Sequence, residues 1–525
     1  MPIVRRIPSI ALVLAVSALL PGCSHPKPHV VTAITAKLPP DNLPVPPFNT
    51  KAQKESAAIA RWHNALLAQS VTSETPARLI QVDGILRQAE TQPGVSKEIK
   101  QLARFTGVSF SQMQERWKQV QAADLFLESG DDANAISTAG ACGVAQWMPD
   151  SATRAGLKVD LSKSTALTKE IVRLEASLHG SLALSSGPKG GAASAKQSGQ
   201  SAGATNPSLP NTEQIALRIA DLEAQRAKID QRFNPELSIF AQTRYLLGLV
   251  HRFPAVDWLF QAYHGGEAGV TRLLRLYSQR ASASPANIIL GDRHHPKISF
   301  GDVYLNCTPK QNVKAFGYLY SRGDDDRHYW WKILAAVDLI PKIIDQSPSV
   351  TTAPHRLLQL WYGNNADVYR FQGDKMVTQG VAAGVLVQSP CTQSTCRYYA
   401  QNKRATTATA LRPIAASALR LIMNNYHNEG GLGLPTVDIT TGNPGRSSSQ
   451  AGLSFNILFP KDPHDLLIMT YVLERLSDWG LIGLGRALHE GPPHWIVLPC
   501  PFYGQAISKL ALGTGSKQLT ASTSD

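Results

Sequence analysis

Cysteine is scarce in this chain, six among 525 residues. No two stand in a C-x-x-C pair or at zinc-finger spacing, which excludes the common thiolate metal modules. Clusters of Lys and Arg with aromatics between them are also missing, and with them the usual footprint of a nucleic-acid surface, so no nucleic-acid partner is expected. The formal charge of +13 is instead spread along the chain and suits acidic partners in general, anionic lipid among them. The N-terminal apolar run, residues 10–20, is too short to span a bilayer as a permanent helix. What is present is ordinary for a globular protein, 43% hydrophobic and 17% charged residues. A chain this long exceeds one compact core, so about two to four structural units are expected.

The first residues, MPIVRRIPSIALVLAVSALLPGC, join two arginines to that apolar run and close on Gly22-Cys23. This is the shape of a secretory signal over residues 1–22. Leu20-Pro21-Gly22-Cys23 resembles a bacterial lipobox, although Pro21 is unusual there. The resemblance implies that Cys23 is lipidated and becomes the mature N-terminus; an ordinary signal peptide with a free Cys23 is the other reading. Ser24 after the cysteine implies a periplasmic protein sorted to the outer membrane. Several acyl chains on one cysteine would hold it firmly to that surface. Export also permits disulfides. Cys142, Cys307, Cys391, Cys396 and Cys500 then remain, an odd set, in which Cys391 and Cys396 stand close enough to close a small loop.

Residues 23–51 are rich in proline, lack helical periodicity and read as an extended tether. Residues 52–119 form a helical N-terminal region. Met113, Trp117, Val120 and Leu127 fall on one helical face that leads into Glu128. Pro149 with Asp150 and Ser151 marks a helix start. The Gly/Ser/Ala-rich stretch 180–211 is expected to be a disordered insertion. Helical spacing resumes with Ile215, Ile219, Leu222 and Ile229 and continues over 257–277 and 330–344. Past residue 350 the pattern becomes α+β, with helices at 411–426 and 465–479 and strands at 435–440, 453–458 and 495–498. The polar tail 506–525 is expected to be frayed. The fold class expected is therefore multidomain, a mainly α region followed by an α+β domain over 350–505.

Several motifs converge on one family. Glu128-Ser129, the run Ala139-Gly140-Ala141-Cys142-Gly143-Val144-Ala145-Gln146 with Met148-Pro149, and Ala262-Tyr263-His264-Gly265-Gly266 together resemble the SLT-type lytic transglycosylases, which share the goose-type lysozyme fold. Phe233-Asn234-Pro235-Glu236-Leu237 ahead of Tyr245-Leu246, and His328-Tyr329-Trp330-Trp331, follow in family order. The resemblance covers about residues 120–340 apart from the insertion, and the lysozyme-like domain it implies spans 120–345.

It implies cleavage of the MurNAc–GlcNAc bond of peptidoglycan to leave 1,6-anhydro ends, with no cofactor and no metal. Glu128 would be the single acid and base, and Ser129, Gln146, Tyr263, His264 and Tyr329 would bind substrate, Tyr263 by orienting Glu128 or the N-acetyl group. The chemistry fits these residue types: an acid beside an apolar wall such as Leu125–Leu127 is held protonated more readily. The usual glycosidase adds a second carboxylate; Asp131 and Asp132 are available for that hydrolytic alternative, but read more simply as solvated turn residues. This chain departs from the family where Val144-Ala145 replaces Leu-Met and where His264 replaces Asn, which puts groove contacts and the Asn role in question.

The C-terminal region carries a fainter trace. Ser447 to Ile457 aligns with the Ser-x-His-x-x-Gly-x-Ala-x-Asp frame of LAS-type zinc D,D-peptidases, and His489-Glu490 and His494-Trp495 follow. Ser449 stands where the first ligand histidine belongs and Asn456 where the aspartate belongs, a poor donor set for zinc. His489-Glu490-Gly491-Pro492-Pro493-His494 is one residue too long for a helical His-Glu-x-x-His site, and two prolines bar the helix. The resemblance implies a domain without metal, kept to bind wall peptide or for structure. A hydrolytic muramidase and a non-catalytic wall-binding lipoprotein are the alternatives to the lytic enzyme.

Overall fold

The computed structural model describes residues 50–69, 74–185, 212–291, 297–345, 371, 373–391, 394–399, 409–439, 452–488 and 492–512. The expected signal, Cys23 and nearly all of the tether lie outside these, as do Ser449, His489-Glu490 and residues 513–525 of the expected tail; its first residues are not frayed, because the helix Gly504–Ala511 buries Ala506, Ile507, Leu510 and Ala511 against the core of the sheet. In chain order the helices are α1 Lys51–Gln69, α2 Thr75–Glu90, α3 Val95–Thr106, α4 Phe110–Ser129, α5 Pro149–Arg154, α6 Leu161–Ser185, α7 Thr212–Ile229, α8 Pro235–Gly248 and α9 Val256–Gly265. There follow α10 Glu267–Ser278, α11 Pro285–Leu290, α12 Phe300–Asn306, α13 Val313–Ser321, α14 Asp324–Asp345, α15 Gly373–Ala382, α16 Pro413–Asn428, α17 Pro463–Asp478 and α18 Gly504–Ala511. The strands are β1 Val387–Gln388, β2 Arg397–Tyr398, β3 Ala410–Leu411, β4 Thr436–Asp438, β5 Phe455–Leu458, β6 Ile482–Ala487 and β7 His494–Pro499. The order is mainly α, then α+β.

Contacts gather the chain into two compact units. Among the described residues the first holds Thr75–Lys100 and Gln114–Gly248; the second holds those of Pro8–Glu74, Gln101–Met113 and Leu249–Asp525. The helices from Leu249 to residue 345 thus share a unit with the C-terminal sheet.

In the first unit, Trp117 and Val120 are buried as their spacing demands, while Leu127 is half-buried in the last turn of α4. Buried amides join α4 to α8: Gln121 Nε2 donates to Gln242 Oε1 at 3.0 Å, and Gln242 Nε2 donates to Asp124 Oδ2 at 2.8 Å. A connected network of this kind satisfies groups that would otherwise be costly to bury. α6 and α7 pair as a long hairpin, with Ile171, Ile215 and Leu222 inside. The low-complexity stretch begins later than its composition suggests. α6 continues through Ser185, and residues 186–211 lie outside the described set.

The second unit has a sheet of order β2-β4-β5-β7-β6, antiparallel except for β2 against β4. Val437, Phe455, Ile457, Trp495 and Val497 share one core with the apolar faces of α16 and α17. β6 was not legible in LIGLGRAL because its glycines break the alternation of strand residues. Gly266, at φ +80°, splits the single helix expected over 257–277 into α9 and α10.

The polar side of α17 is buried as well. Arg327 Nε donates to Glu474 Oε2 at 3.1 Å, and Arg486 Nη2 reaches Glu474 Oε1 at 3.1 Å. Arg475 lies 4.1 Å over the Tyr304 ring, and Asp478 accepts from Arg61 and from the Tyr304 hydroxyl. Cys391 and Cys396 form a disulfide, and Cys142, Cys307 and Cys500 are buried thiols.

Removing one partner of a buried ion pair strands the other charge. Glu474→Ala is expected to lower stability by about 3–5 kcal/mol, and Arg327→Met combined with Glu474→Leu to recover much of it. Thermal melts of both variants check this, and a loss below about 1 kcal/mol in the single variant would contradict it. Alkylation of the native protein should spare Cys142, Cys307 and Cys500 until it is unfolded, and Cys391 and Cys396 until it is also reduced; peptide mass mapping reads the order.

Candidate active site

α4 delivers Glu128 at its C-terminal end. Leu125 and Phe126 are fully buried, whereas Glu128 is half-buried, so the carboxyl stands where the helix leaves the core. Ser129 then turns its hydroxyl inward. Its Oγ donates to Val144 O at 2.8 Å and thereby ties the helix end to the loop 142–147. The Ser129 hydroxyl serves the loop directly.

That loop is a small hairpin. Cys142 and Trp147 exchange backbone hydrogen bonds of 3.0 and 3.1 Å, and the chain reverses through Gly143 at φ +76° and Gln146 at φ +47°. Gln146 Nε2 donates to Gly143 O at 2.9 Å, closing the turn on itself, and the side chain stays half-buried. Val144 and Ala145 are fully buried. The expectation that these smaller residues alter the groove is therefore corrected: their side chains fill core volume. Trp147 is buried and donates from Nε1 to Ser238 O at 3.2 Å, fastening the hairpin to α8.

Sequence reasoning missed the groups that hold this loop. Asp230 caps the 3-10 turn Gln231–Phe233, Arg232 lies within it, and both are buried. Arg232 donates to Asp230 through Nε at 2.9 Å and Nη2 at 2.7 Å, and Nη1 reaches Gly140 O at 3.3 Å and Trp147 O at 3.4 Å. Ser164 of α6 donates to Asp230 Oδ2 at 2.7 Å. Arg226 of α7, also buried, donates to Asn134 Oδ1 at 2.8 Å and covers the Phe233 ring. The spacing Asp230-x-Arg232 ahead of Phe233-Asn234-Pro235 was the available signal. Asn234 caps α8, its Oδ1 accepting from Leu237 N at 3.0 Å.

Of the two aspartates in the turn after Glu128, only Asp132 is the solvated turn residue expected. Asp132 is half-exposed and lies 3.5 Å from Arg78, as a solvated turn residue would. Asp131 is 5% exposed, left-handed at φ +59°, and neither of its carboxyl oxygens has a hydrogen-bond partner. Burial pushes its pKa up to about 7, against a smaller opposing pull from Arg78.

The remaining predicted residues form a cluster in the second unit. His264 stacks on Tyr329 with ring centroids 3.7 Å apart and planes 9° apart, and His264 Nε2 lies 3.4 Å from Asp326 Oδ1. Arg322 Nε holds the other oxygen of Asp326 at 2.6 Å. Tyr329 is 3% exposed, so one ring face is taken by His264 and little of the rest is open; Tyr263 beside them is half-buried. Glu128, Ser129 and Gln146 belong to the first unit, and Tyr263, His264 and Tyr329 to the second.

In the C-terminal sheet, Asn456 Nδ2 donates to Asp438 Oδ2 at 3.2 Å, and His494 Nδ1 faces Pro492 O at 2.9 Å. No group of three or more His, Cys, Asp or Glu that could hold a metal ion occurs among the described residues. No described helix is long and apolar enough to cross a membrane. The chain matches no known family model, no curated protein and no solved structure.

Gly143 gives a sharp test of the loop. A Cβ there would stand 1.8 Å from Arg232 O, whereas one on Gly140 would meet nothing within 4 Å. Gly143→Ala is expected to cost about 2–4 kcal/mol from backbone strain and displacement of Arg232. Gly140→Ala, also at positive φ, should cost only about 1–2 kcal/mol. Equal melting shifts for the two would contradict the close approach.

Proposed function

We propose that the protein is a peptidoglycan lytic transglycosylase with a lysozyme-like catalytic region, in which Glu128 acts first as acid and then as base. The observation that carries this reading is the Ser129 Oγ bond to Val144 O. It joins the Glu-Ser helix end to the Gly-x-x-Gln loop fifteen residues further on, two segments that the family resemblance assigns to one site. The half-buried Glu128 meets solvent at the rim of the core, where an acid can reach a glycosidic oxygen and still be partly desolvated.

In this mechanism Glu128 gives its proton to the oxygen leaving C1 of the N-acetylmuramyl sugar, whose N-acetyl group supports the developing charge. Glu128, now a carboxylate, takes the proton from the sugar's own 6-hydroxyl as O6 bonds to C1. The 1,6-anhydro ring closes, the proton count balances, and no water is consumed. One carboxyl therefore serves both steps. Asp131 is poorly suited to the base role of a hydrolytic alternative, because its burial favours the neutral acid.

His264 is held between Tyr329 and Asp326, and Tyr329 acts as its backing rather than as a sugar platform. The lipid anchor at Cys23 and the outer-membrane location belong to the same proposal. For the C-terminal sheet, the buried contacts of α17 favour a structural role.

Digestion of purified sacculi by the full-length protein in detergent, read by mass spectrometry, tests the reading. Anhydro-muropeptides are expected from the parent and a loss of at least about 100-fold in Glu128→Gln. Products heavier by one water would make it a muramidase. Binding to sacculi without any product would leave a wall-binding protein and remove the enzyme.

A further inference from the structure

The turn that follows Glu128 is tightly held at every polar side chain but one. Ser129 is bonded to Val144 O, and Gly130 N to Phe126 O at 2.8 Å. Asp132 Oδ1 accepts from Asn134 N at 2.9 Å, and Asn134 is in turn held by Arg226. Between these fastenings lies Asp131, buried, with both carboxyl oxygens unpartnered. It also adopts the left-handed backbone directly after Gly130, which is left-handed too at φ +65°. Two consecutive left-handed residues bring the chain back under the end of α4, and they place the Asp131 side chain inward.

Such a residue is stabilising for neither the fold nor the backbone. A glycine would relieve the backbone, and any small apolar group would relieve the burial. The property that distinguishes Asp131 from both is a proton that can leave. If it leaves, a carboxylate is stranded in the interior with no donor, and the short route to water is for the turn 129–132 to open. That turn is covalently continuous with Glu128.

We propose that Asp131 is a positioning residue for Glu128: as the neutral acid it seals the turn beneath the helix end, and as the carboxylate it releases the turn and with it the placement of Glu128. This rests on the reading of Glu128 as the acid and base. The charged group acting on Asp131 is Arg78 of α2, which also lies 3.5 Å from Asp132; Glu128 and Asp132 flank Asp131 in the chain. The direction follows from linkage. The folded state keeps the proton up to about pH 7, while the unfolded chain releases it near the ordinary value of 3.8. Stability therefore falls as pH rises through that window and levels off above it.

The experiment compares the full-length protein with Asp131→Asn and with Asp131→Gly, which tolerates the backbone. Three readouts are taken between pH 4 and pH 8.5: thermal midpoint, hydrogen-exchange protection of amides 129–135, and the rate of glycan cleavage. The parent should lose midpoint and turn protection as pH rises, and both variants should lose neither. At pH 8, relative to pH 6, the Asn variant should retain about tenfold more of its cleavage rate than the parent. Identical pH profiles of protection in parent and Asn variant overturn the proposal. Protection that differs while the cleavage profiles coincide overturns the positioning role. A parent inactive at every pH removes the proposed enzyme and with it this role, while exchange at 129–135 still reports on the turn itself.

Discussion

Asp230 and Arg232 stand two residues apart on a short 3-10 turn and neutralise one another out of contact with solvent. From that pair the candidate site is suspended. Arg232 Nη1 donates to the carbonyls of Gly140, two residues before the hairpin that carries Gln146, and of Trp147, which closes it, and the Arg232 carbonyl lies against the bare face of Gly143. Ser164 bonds the other side of Asp230, so α6 contributes to the same arrangement. A buried pair of this kind is weak evidence for stability, since desolvation offsets most of the attraction. Its value lies in geometry, because few conformations of the loop satisfy a guanidinium and a glycine contact together. The loop that bonds Ser129 is thereby set from below.

The second unit shows the same preference for buried charge at a joint. Three nearby residues of α17, Glu474, Arg475 and Asp478, reach Arg327, Tyr304 and Arg61 on α14, α12 and α1. An apolar helix face could have packed there with less desolvation. Charged partners instead fix which residue meets which, and this accounts for α1, α12 and α14 sharing one compact unit with α17. The apolar face of α17 meanwhile covers the sheet, so one helix serves both a helical layer and a β layer.

How much of this was readable depended on range. The strands over 436–438, 455–458 and 494–499 and the helices α16 and α17 follow from local alternation and 3.6-residue spacing, and they appear within a few residues of where the pattern puts them. Val144 and Ala145 were misread as groove residues because motif position says nothing of which way a side chain points. Asp131 was misread as solvated because aspartate in a Gly-Asp-Asp turn normally is, and only the left-handed turn carries it inside. Asp230 and Arg232 went unnoticed because a charge pair declares itself buried only when other segments close over it.

By itself, the sequence determined the helical and strand periods, the placing of Glu128 at the end of an amphipathic helix, and the glycine required at 143 for a tight reversal. These are properties of short windows, set by backbone sterics and by the spacing of apolar side chains. Tertiary structure alone decided which polar groups lost water: the Asp230–Arg232 pair, the α17 charges, and the unpartnered carboxyl of Asp131. Desolvation is a sum over neighbours from distant parts of the chain, so no local reading of the sequence contains it.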